Sequence, residues 1–450
     1  MNLSDRDKQV IWHPYTQMQN AEMPIAIVKG EGAYLFDENN NRYIDAISSW
    51  WVNTHGHSHP HIAAKVSEQL KTLEHSIFAG FTHRPAVELA ERLLKVLPKN
   101  QSKIFYSDDG STAVEVALKM SLQYWYNKQI SSKSKVQSSK SKNKIIAFKN
   151  SYHGDTFGAM SVSGRSIFTK PFKEKLFDVI FIDAPTKGNE QKSLKQFQFH
   201  LSPLTSHLSI FIYEPLVQGA AGMVMYDADA LNEILKFCKK NNILTIADEV
   251  FTGFGRTGKF FASDFIPTKP DIICLSKGLT GGTMALGVTT CSEEIYNAFL
   301  SSEITNPKSE IKTFFHGHSF TANPVACSAA LASLDLFDKK ETWKNIKRIE
   351  KKHNQFLKHI SKHKRIKEIR QLGTILAIEI KTNSETNYLN EIRTYLYQFF
   401  IQRKIIIRPL GNIVYLVPPY CISDEDLDFI YENMEECLDK IKVINNHSSF

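Results

Sequence analysis

Leu244-Thr-Ile-Ala-Asp-Glu-Val (residues 244–250) and Pro270-Asp-Ile-Ile-Cys-Leu-Ser-Lys-Gly-Leu (residues 270–279) decide how the rest of the chain is read. Each is a short apolar run, the pattern of a strand buried on both faces, and each ends on a chemically active side chain. Asp248 closes the first run; Lys277 follows the second and precedes Gly278. Open α/β sheets place their ligands at such strand ends.

With these two, at Ile243–Ala247 and Ile272–Leu275, runs of the same kind lie at Ile104–Tyr106, Ile145–Phe148, Val179–Ile182, Leu208–Tyr213 and Leu286–Thr290, several of them separated by amphipathic or Gly-containing stretches. Helical spacing of Ile62, Val66, Leu70, Leu73 and Ile77 precedes them, and Pro85 opens a second helical run that stops at Pro98. The pattern predicts an α/β fold with a mostly parallel central sheet. From about residue 335 the texture changes to Lys/Glu-rich helical patterns over Lys339–Lys364, a strand at Gly373–Ile380, a helix from Leu389, strands around Ile405 and Ile413, and a closing helix from Asp424. Tyr34–Asp37 and Arg42–Asp45 flank the turn-forming run ENNN, a hairpin pattern. The expected organisation is a large ligand-binding domain over 56–334 and a smaller α+β domain over 335–450, joined by the N-terminal segment 1–55.

With 450 residues, 42% of them hydrophobic and 23% charged, the chain can bury several cores and is neither a disordered chain nor a rod. The net charge of +8 is concentrated in Lys128–Lys144, whose six lysines and six serines meet no acid; without them the remainder carries only +2. Such a run is a solvated surface insert, and without interleaved aromatics it gives no ground for nucleic-acid binding. Cys238, Cys274, Cys291, Cys327, Cys421 and Cys437 form no C-x-x-C pair, which fits a reducing compartment rather than a disulfide framework. The start MNLSDRDKQVIWHPYTQ lacks the apolar core of a secretory signal, and no stretch approaches ~18 uninterrupted apolar residues. A cytoplasmic protein without a membrane span is expected. His13, His55, His57 and His59 have no acid or cysteine at ligand spacing, so no metal is expected.

Two more strand-end pieces join Asp248 and Lys277. Ser107-Asp-Asp-Gly-Ser-Thr-Ala-Val-Glu runs from a strand into a helix, Gly110 permitting a tight turn and Ser111 expected to cap a helix whose N-terminus suits a phosphate. Ser151-Tyr-His-Gly-Asp-Thr puts the aromatic Tyr152 at another strand mouth. Alone, each has an ordinary reading: a helix start, a capping or metal-binding carboxylate, a solvated lysine, a rim aromatic. Together they supply what pyridoxal phosphate chemistry requires. Those requirements are an amine for a Schiff base, a carboxylate for the pyridine nitrogen, an aromatic face and a phosphate cradle.

Over essentially its whole length the chain resembles the fold-type I, class III pyridoxal phosphate aminotransferases. The resemblance rests on Ile246–Ala262, Pro270–Leu279 and Glu214-Pro-Leu-Val-Gln-Gly-Ala-Ala-Gly-Met. Ile11-Trp-His-Pro-Tyr-Thr-Gln-Met, Ser48-Ser-Trp-Trp-Val-Asn-Thr-His-Gly-His and Ile407-Arg-Pro-Leu-Gly-Asn-Ile-Val-Tyr-Leu-Val-Pro-Pro-Tyr resemble one branch of that class. That branch aminates 8-amino-7-oxononanoate in biotin synthesis, with S-adenosyl-L-methionine as donor. The resemblance implies Lys277 as the cofactor-bonding lysine and proton carrier, Asp248 at the pyridine nitrogen, and Gly110 and Ser111 at the phosphate. It implies Tyr152 over the ring, Tyr15 and Trp50 along the substrate pocket, Arg408 at the substrate carboxylate and Arg256 as a second guanidinium. A homodimer is implied as well, with the segment Gly317-His318-Ser319 reaching the partner's phosphate and substrate. Where the branch usually reads Gly-Pro-Thr this chain has Gly-His-Ser, which keeps a hydroxyl at Ser319 and loses a rigid proline. The alternative within the class is an ω-aminotransferase using ornithine, 4-aminobutyrate or lysine.

Deleting Lys133–Lys142 is expected to leave turnover and the unfolding midpoint nearly unchanged. A Ser/Lys insert buries little, and loop length enters closure entropy only logarithmically. Assay and thermal melt of the deletion variant check this.

Overall fold

The computed structural model describes residues 1–131, 144–200, 208–300 and 312–441, so the Lys133–Lys142 segment lies outside the described residues. At its centre is a seven-stranded sheet in the order Gln101–Ser107, Gly287–Ser292, Ile272–Leu275, Leu244–Asp248, Leu208–Tyr213, Lys144–Phe148, Val179–Ile182. Gly287–Ser292 runs antiparallel to both neighbours and every other pairing is parallel. The central strands are apolar throughout because both faces are covered. Ile272 and Cys274 face one layer with Ala113, Val114 and Ala117 of the helix Gly110–Ser131, whereas Ile273 and Leu275 face the other.

Helices Pro60–Thr72 and Arg84–Val96 form, each with proline in its first turn, the first ending before Leu73 and Ile77 of the expected spacing. The helix Pro324–Phe337 is buried on nearly all sides, so its sequence shows no apolar stripe. N-terminal strands join the C-terminal part of the chain. Ile27–Glu31, Tyr34–Asp37 and Arg42–Asp45 form an antiparallel set, and Ile405–Ile406 pairs parallel with Arg42–Asp45. Ile366–Leu372, Ile375–Ile380 and Ile413–Leu416 build a second antiparallel sheet beside the helices Lys340–Ile360 and Asp424–Lys440.

Several element boundaries differ from the sequence expectation, and two of the shifts have a local cause. The helix expected from Leu389 begins at Ile392, because the Asn387 and Asn390 side chains take the N–H groups of Leu389 and Ile392 and hold a turn there. The strand expected from Gly373 begins at Ile375, because Gly373 and Thr374 form the two-residue hairpin turn. All six cysteines are free. Among the described residues no helix is long and apolar enough to cross a membrane.

The Gly373 turn also docks this hairpin on the large sheet's loops. Thr374 donates its N–H (2.9 Å) and its hydroxyl (3.2 Å) to the Arg256 carbonyl. Gly373 has φ +55°, and a Cβ there would overlap the Thr257 carbonyl carbon and the Gly258 nitrogen. Gly373→Ala is therefore expected to lower stability by about 2–4 kcal/mol, combining left-handed strain with a backbone overlap. Urea unfolding measures it.

Candidate active site

Lys277 stands where the strand Ile272–Leu275 gives way to a single 3₁₀ turn, Lys277–Thr280. Its φ of +46° is a left-handed conformation unusual for a side chain of this size. The Ser276 hydroxyl, bonded to the Leu286 carbonyl at 2.8 Å, pins the approach. The ammonium nitrogen lies 4.9 Å from the Trp51 ring centre and 5.9 Å from that of Phe251. Burial pushes its pKa below the usual lysine value, with the negative charges of Asp248 and Glu214 opposing the shift. A lysine in such a setting is biased toward the neutral amine that nucleophilic and base chemistry need.

Asp248 ends the adjacent strand, 5% exposed. Its Oδ2 is 2.7 Å from His153 Nδ1, and its Oδ1 accepts the Val250 N–H at 3.1 Å. His153 is itself buried, and its Nε2 has no partner among the described residues. Beside this pair Glu214 accepts the N–H groups of Tyr152 (3.1 Å) and Gly219 (3.0 Å). Burial raises the Glu214 pKa to about 7, with His153 pulling it back and Asp248 adding to the rise.

The helix Gly110–Ser131 points its N-terminus into the same space. Its cap is Asp109, which corrects the expectation for Ser111. The Asp109 carboxylate accepts the Thr112 N–H at 2.9 Å, and Thr112 Oγ1 accepts the Asp109 N–H at 2.8 Å. A capping carboxylate two residues earlier leaves Ser111 inside the first turn. There the N–H groups of Gly110 and Ser111 have no intrahelical acceptor and can meet an anion. Gly110 is needed for close approach: a Cβ would sit 2.7 Å from Val250 Cγ1. The cavity enclosed is about 400 Å³ and is lined by Trp51, Gly110, Ser111, Tyr152, Asp248 and Lys277.

Tyr152 also belongs to an outer cluster. The Tyr15 and Tyr152 hydroxyls both donate to Asp155 Oδ2, the second at 3.0 Å, and lie 3.4 Å from each other. Burial and the Asp155 carboxylate push Tyr15 up to about 12, and burial with the Tyr15 contact raises Tyr152. Both phenols are therefore neutral donors at neutral pH. Trp50 stands edge-on to Tyr15 (5.5 Å), and the Arg408 guanidinium lies 4.7 Å over the Trp50 ring.

The remaining expected residues lie elsewhere. Arg256 is 1% exposed and does not line the Lys277 cavity; it donates to the carbonyls of Pro418 (2.8 Å) and Trp51 (3.2 Å) from behind. Gly317, His318 and Ser319 do not line that cavity either; His318 Nδ1 is 3.1 Å from Asp108 Oδ2 beside the helix start. The clustered histidines part ways to Asp7 (His13), Ser333 (His55), Asp45 (His57) and a helix cap (His59), and no metal-holding group of three or more occurs among the described residues. Sequence reasoning passed over Trp51, His153, Asp155 and Glu214. The first is masked by its neighbour Trp50, and the next two stand in the Tyr152-His-Gly-Asp run already quoted for its tyrosine.

A lysine amine, a buried carboxylate, a phenol and free helix N–H groups around one cavity define a pyridoxal phosphate site, and the comparisons agree. The family profile of class-III aminotransferases matches residues 15–438, and this chain belongs to that family. Among its relatives, the adenosylmethionine-8-amino-7-oxononanoate aminotransferase of Synechococcus elongatus is 43% identical over 96% of this chain and 99% of its own. The Staphylococcus aureus protein of the same name is 36% identical over 94% of each. The crystal structure of that aminotransferase from Methanocaldococcus jannaschii superposes with a TM-score of 0.89 at 34% identity, covering 98% of this chain and 99% of that one. An omega transaminase from Pseudomonas jessenii, solved with PMP, gives 0.87 at 26% identity, covering 98% of both chains. Class III aminotransferases work with pyridoxal phosphate, and the donor set here fits it.

Asp248→Asn is expected to retain the cofactor yet slow the single-turnover rate by about 3–5 kcal/mol, because a neutral amide cannot hold a ring proton electrostatically. Stopped-flow absorbance distinguishes this from a variant within threefold of wild type.

Proposed function

We propose that this chain transfers the amino group of S-adenosyl-L-methionine to the ketone of 8-amino-7-oxononanoate, giving 7,8-diaminononanoate in biotin synthesis. The observation that carries this is a chain of contacts between unlike groups, from the Lys277 cavity through Tyr152 and Tyr15 to Arg408. Lys277 lies at its base, the Tyr15–Asp155–Tyr152 hydroxyl cluster follows, then the Trp50 indole, then the Arg408 guanidinium. The acceptor has the matching order of ketone and amine, apolar chain and carboxylate. The relatives' names point the same way.

When bound, pyridoxal phosphate supplies an aldehyde carbon that takes up the amino group and a ring that stores the electron pair released with the α-proton. Lys277 Nζ, kept toward its neutral form by burial, takes the proton from the donor's α-carbon and returns it on the other side of the reaction. Asp248 holds a proton on the ring nitrogen, and His153 fixes the carboxylate that does so. Tyr152 covers the ring, and the Gly110 and Ser111 N–H groups hold the phosphate. Arg408 orients the acceptor by its carboxylate, a task that suits a planar fork better than an ammonium.

The working unit in this proposal is a cytoplasmic homodimer. Gly317–Ser319 leaves its own chain's cavity unlined, and apolar side chains stand exposed on either side of it, Phe315 at 75% and Phe320 at 62%. Those rings and the His318 segment are suited to a second copy's site.

Mass spectrometry of product from 8-amino-7-oxononanoate, with S-adenosylmethionine, lysine, ornithine and 4-aminobutyrate compared as donors, tests the assignment. S-adenosylmethionine is expected to be the best donor, and Arg408→Ala to cost roughly 2–4 kcal/mol in kcat/KM for the acceptor. Turnover with ornithine or 4-aminobutyrate and none with S-adenosylmethionine would leave only an ω-aminotransferase.

A further inference from the structure

Beyond Arg408 the structure holds a second guanidinium that no step above uses. Arg393, in the helix Ile392–Gln402, stacks 4.5 Å over the Tyr388 ring and donates from NH2 to the Tyr388 hydroxyl at 3.1 Å. Arg408 donates from its own NH2 to the same oxygen at 3.3 Å. Two cations thus converge on one phenol oxygen, their donating nitrogens about 6 Å apart or less, since each is within hydrogen-bond reach of that oxygen. Among the described residues neither guanidinium has a carboxylate within ion-pair distance. Arg393 Nε is buried without an acceptor.

The chemistry of the phenol sharpens the point. A tyrosine oxygen has two lone pairs and one proton. Here two guanidinium N–H groups take the lone pairs, so the proton must go to a third group, and the described residues offer no acceptor for it. Arg393 and Arg408 both line a cavity of about 470 Å³ that also reaches Tyr15. Its two acids are engaged elsewhere, Asp7 with His13 and Glu22 with Gln398. Like charges held this close raise the energy of the empty pocket and favour an anion between them. Phe168 packs edge-on to both Tyr388 (5.0 Å) and Tyr15 (5.6 Å), so the phenol between the cations is continuous with the aromatic wall leading toward Lys277.

We propose that Arg393, with the Tyr388 hydroxyl as the shared bridge, is a second carboxylate-recognising residue, so that the acceptor's terminal carboxylate is clamped between two guanidiniums rather than held by Arg408 alone. This rests on the acceptor assignment made above. It gives the pocket a preference for a fully ionised far end, which a single arginine stacked on Trp50 provides less strongly.

The test compares the holoenzyme with Arg393→Met, Arg393→Lys and Tyr388→Phe, using 8-amino-7-oxononanoate and its neutral analogue 8-amino-7-oxononanamide. Arg393→Met is expected to raise KM for the acid at least fivefold with kcat within threefold, and Arg393→Lys to recover part of that loss. Tyr388→Phe should raise the same KM in the same direction. For the amide, wild type and Arg393→Met should differ by less than twofold. The half-reaction with S-adenosylmethionine, read by single-turnover absorbance, should stay within twofold and confirms a folded, loaded variant. A KM rise below fivefold for the acid overturns the proposal, as do equal losses for acid and amide, which indicate a structural role. Wild-type protein that does not turn over the acid at all removes the acceptor assignment and this proposal with it, a result distinct from an active wild type insensitive at Arg393.

Discussion

One buried cation ties the site together. The Arg256 guanidinium bonds the carbonyls of Trp51 and Pro418, its own carbonyl receives both donors of Thr374, and its charge sits 5.2 Å from the Tyr420 ring. Tyr420 in turn bonds the Phe254 carbonyl through its hydroxyl and the Thr54 carbonyl through its N–H. The N-terminal segment, the loop after the Asp248 strand, the Gly373 hairpin and the C-terminal run thus meet at one residue. Desolvating a guanidinium costs several kcal/mol, and each charge-assisted hydrogen bond returns only about 1.5–3. The arrangement therefore contributes little net stability. What it secures is position, and the position it secures is that of Trp51 over Lys277.

That position is under strain. Ser48, Ser49 and Trp51 have φ of +51°, +59° and +71°, conformations that L residues avoid and that cost about 1–3 kcal/mol each. Asp45 holds them. Its carboxylate accepts the N–H and hydroxyl of Ser49 (3.0 and 2.9 Å), the N–H of Ile47 and His57 Nε2. The Ser48 hydroxyl bonds the Val417 carbonyl at 2.7 Å, and the Trp51 indole N–H bonds the Tyr415 hydroxyl at 3.1 Å. His57 thus belongs to a strut, which explains why histidines so close in sequence part to separate partners. The aromatic wall over the reactive amine is thus fixed by hydrogen bonds within the protein itself.

The sequence made the central sheet legible because buried parallel strands write themselves as short unbroken apolar runs, and Ile272–Leu275 and Leu208–Tyr213 need no periodicity to be seen. Strand ends then located Asp248 and Lys277. Less legible was anything whose meaning depends on a distant partner. Arg256 in the run Gly-Phe-Gly-Arg-Thr-Gly cannot be known to face two carbonyls, one of them Pro418, without the fold. His153 gains its part only because Asp248 lies 2.7 Å away across the sheet. The helix Pro324–Phe337 escaped notice for the opposite reason: buried on nearly every side, it carries no stripe to detect. Ser111 against Asp109 shows the limit at single-residue scale, since both are good caps and only the backbone path chooses between them.

Asp155 shows how a single carboxylate can organise two phenols beside the Lys277 cavity. It takes the hydroxyl protons of Tyr15 and Tyr152 on the same oxygen, and so fixes two phenols at the junction of the Lys277 cavity and the outer one. Its negative charge also raises both phenols' pKa values, which keeps their protons on. A neutral phenol can turn its lone pairs toward an ammonium or an amine N–H, and Asp155 behind it adds attraction for a cationic group. In the proposed reaction the acceptor's amine beside its ketone would be drawn toward such a junction. Recognition of the acceptor's terminal carboxylate, in the proposed reaction, belongs by contrast to the guanidiniums farther out. Separating the two polarities along the path lets a substrate with an amine at its reacting end and a carboxylate at its far end enter in one orientation only. The reversed orientation would set the carboxylate against Asp155 and the amine against Arg408.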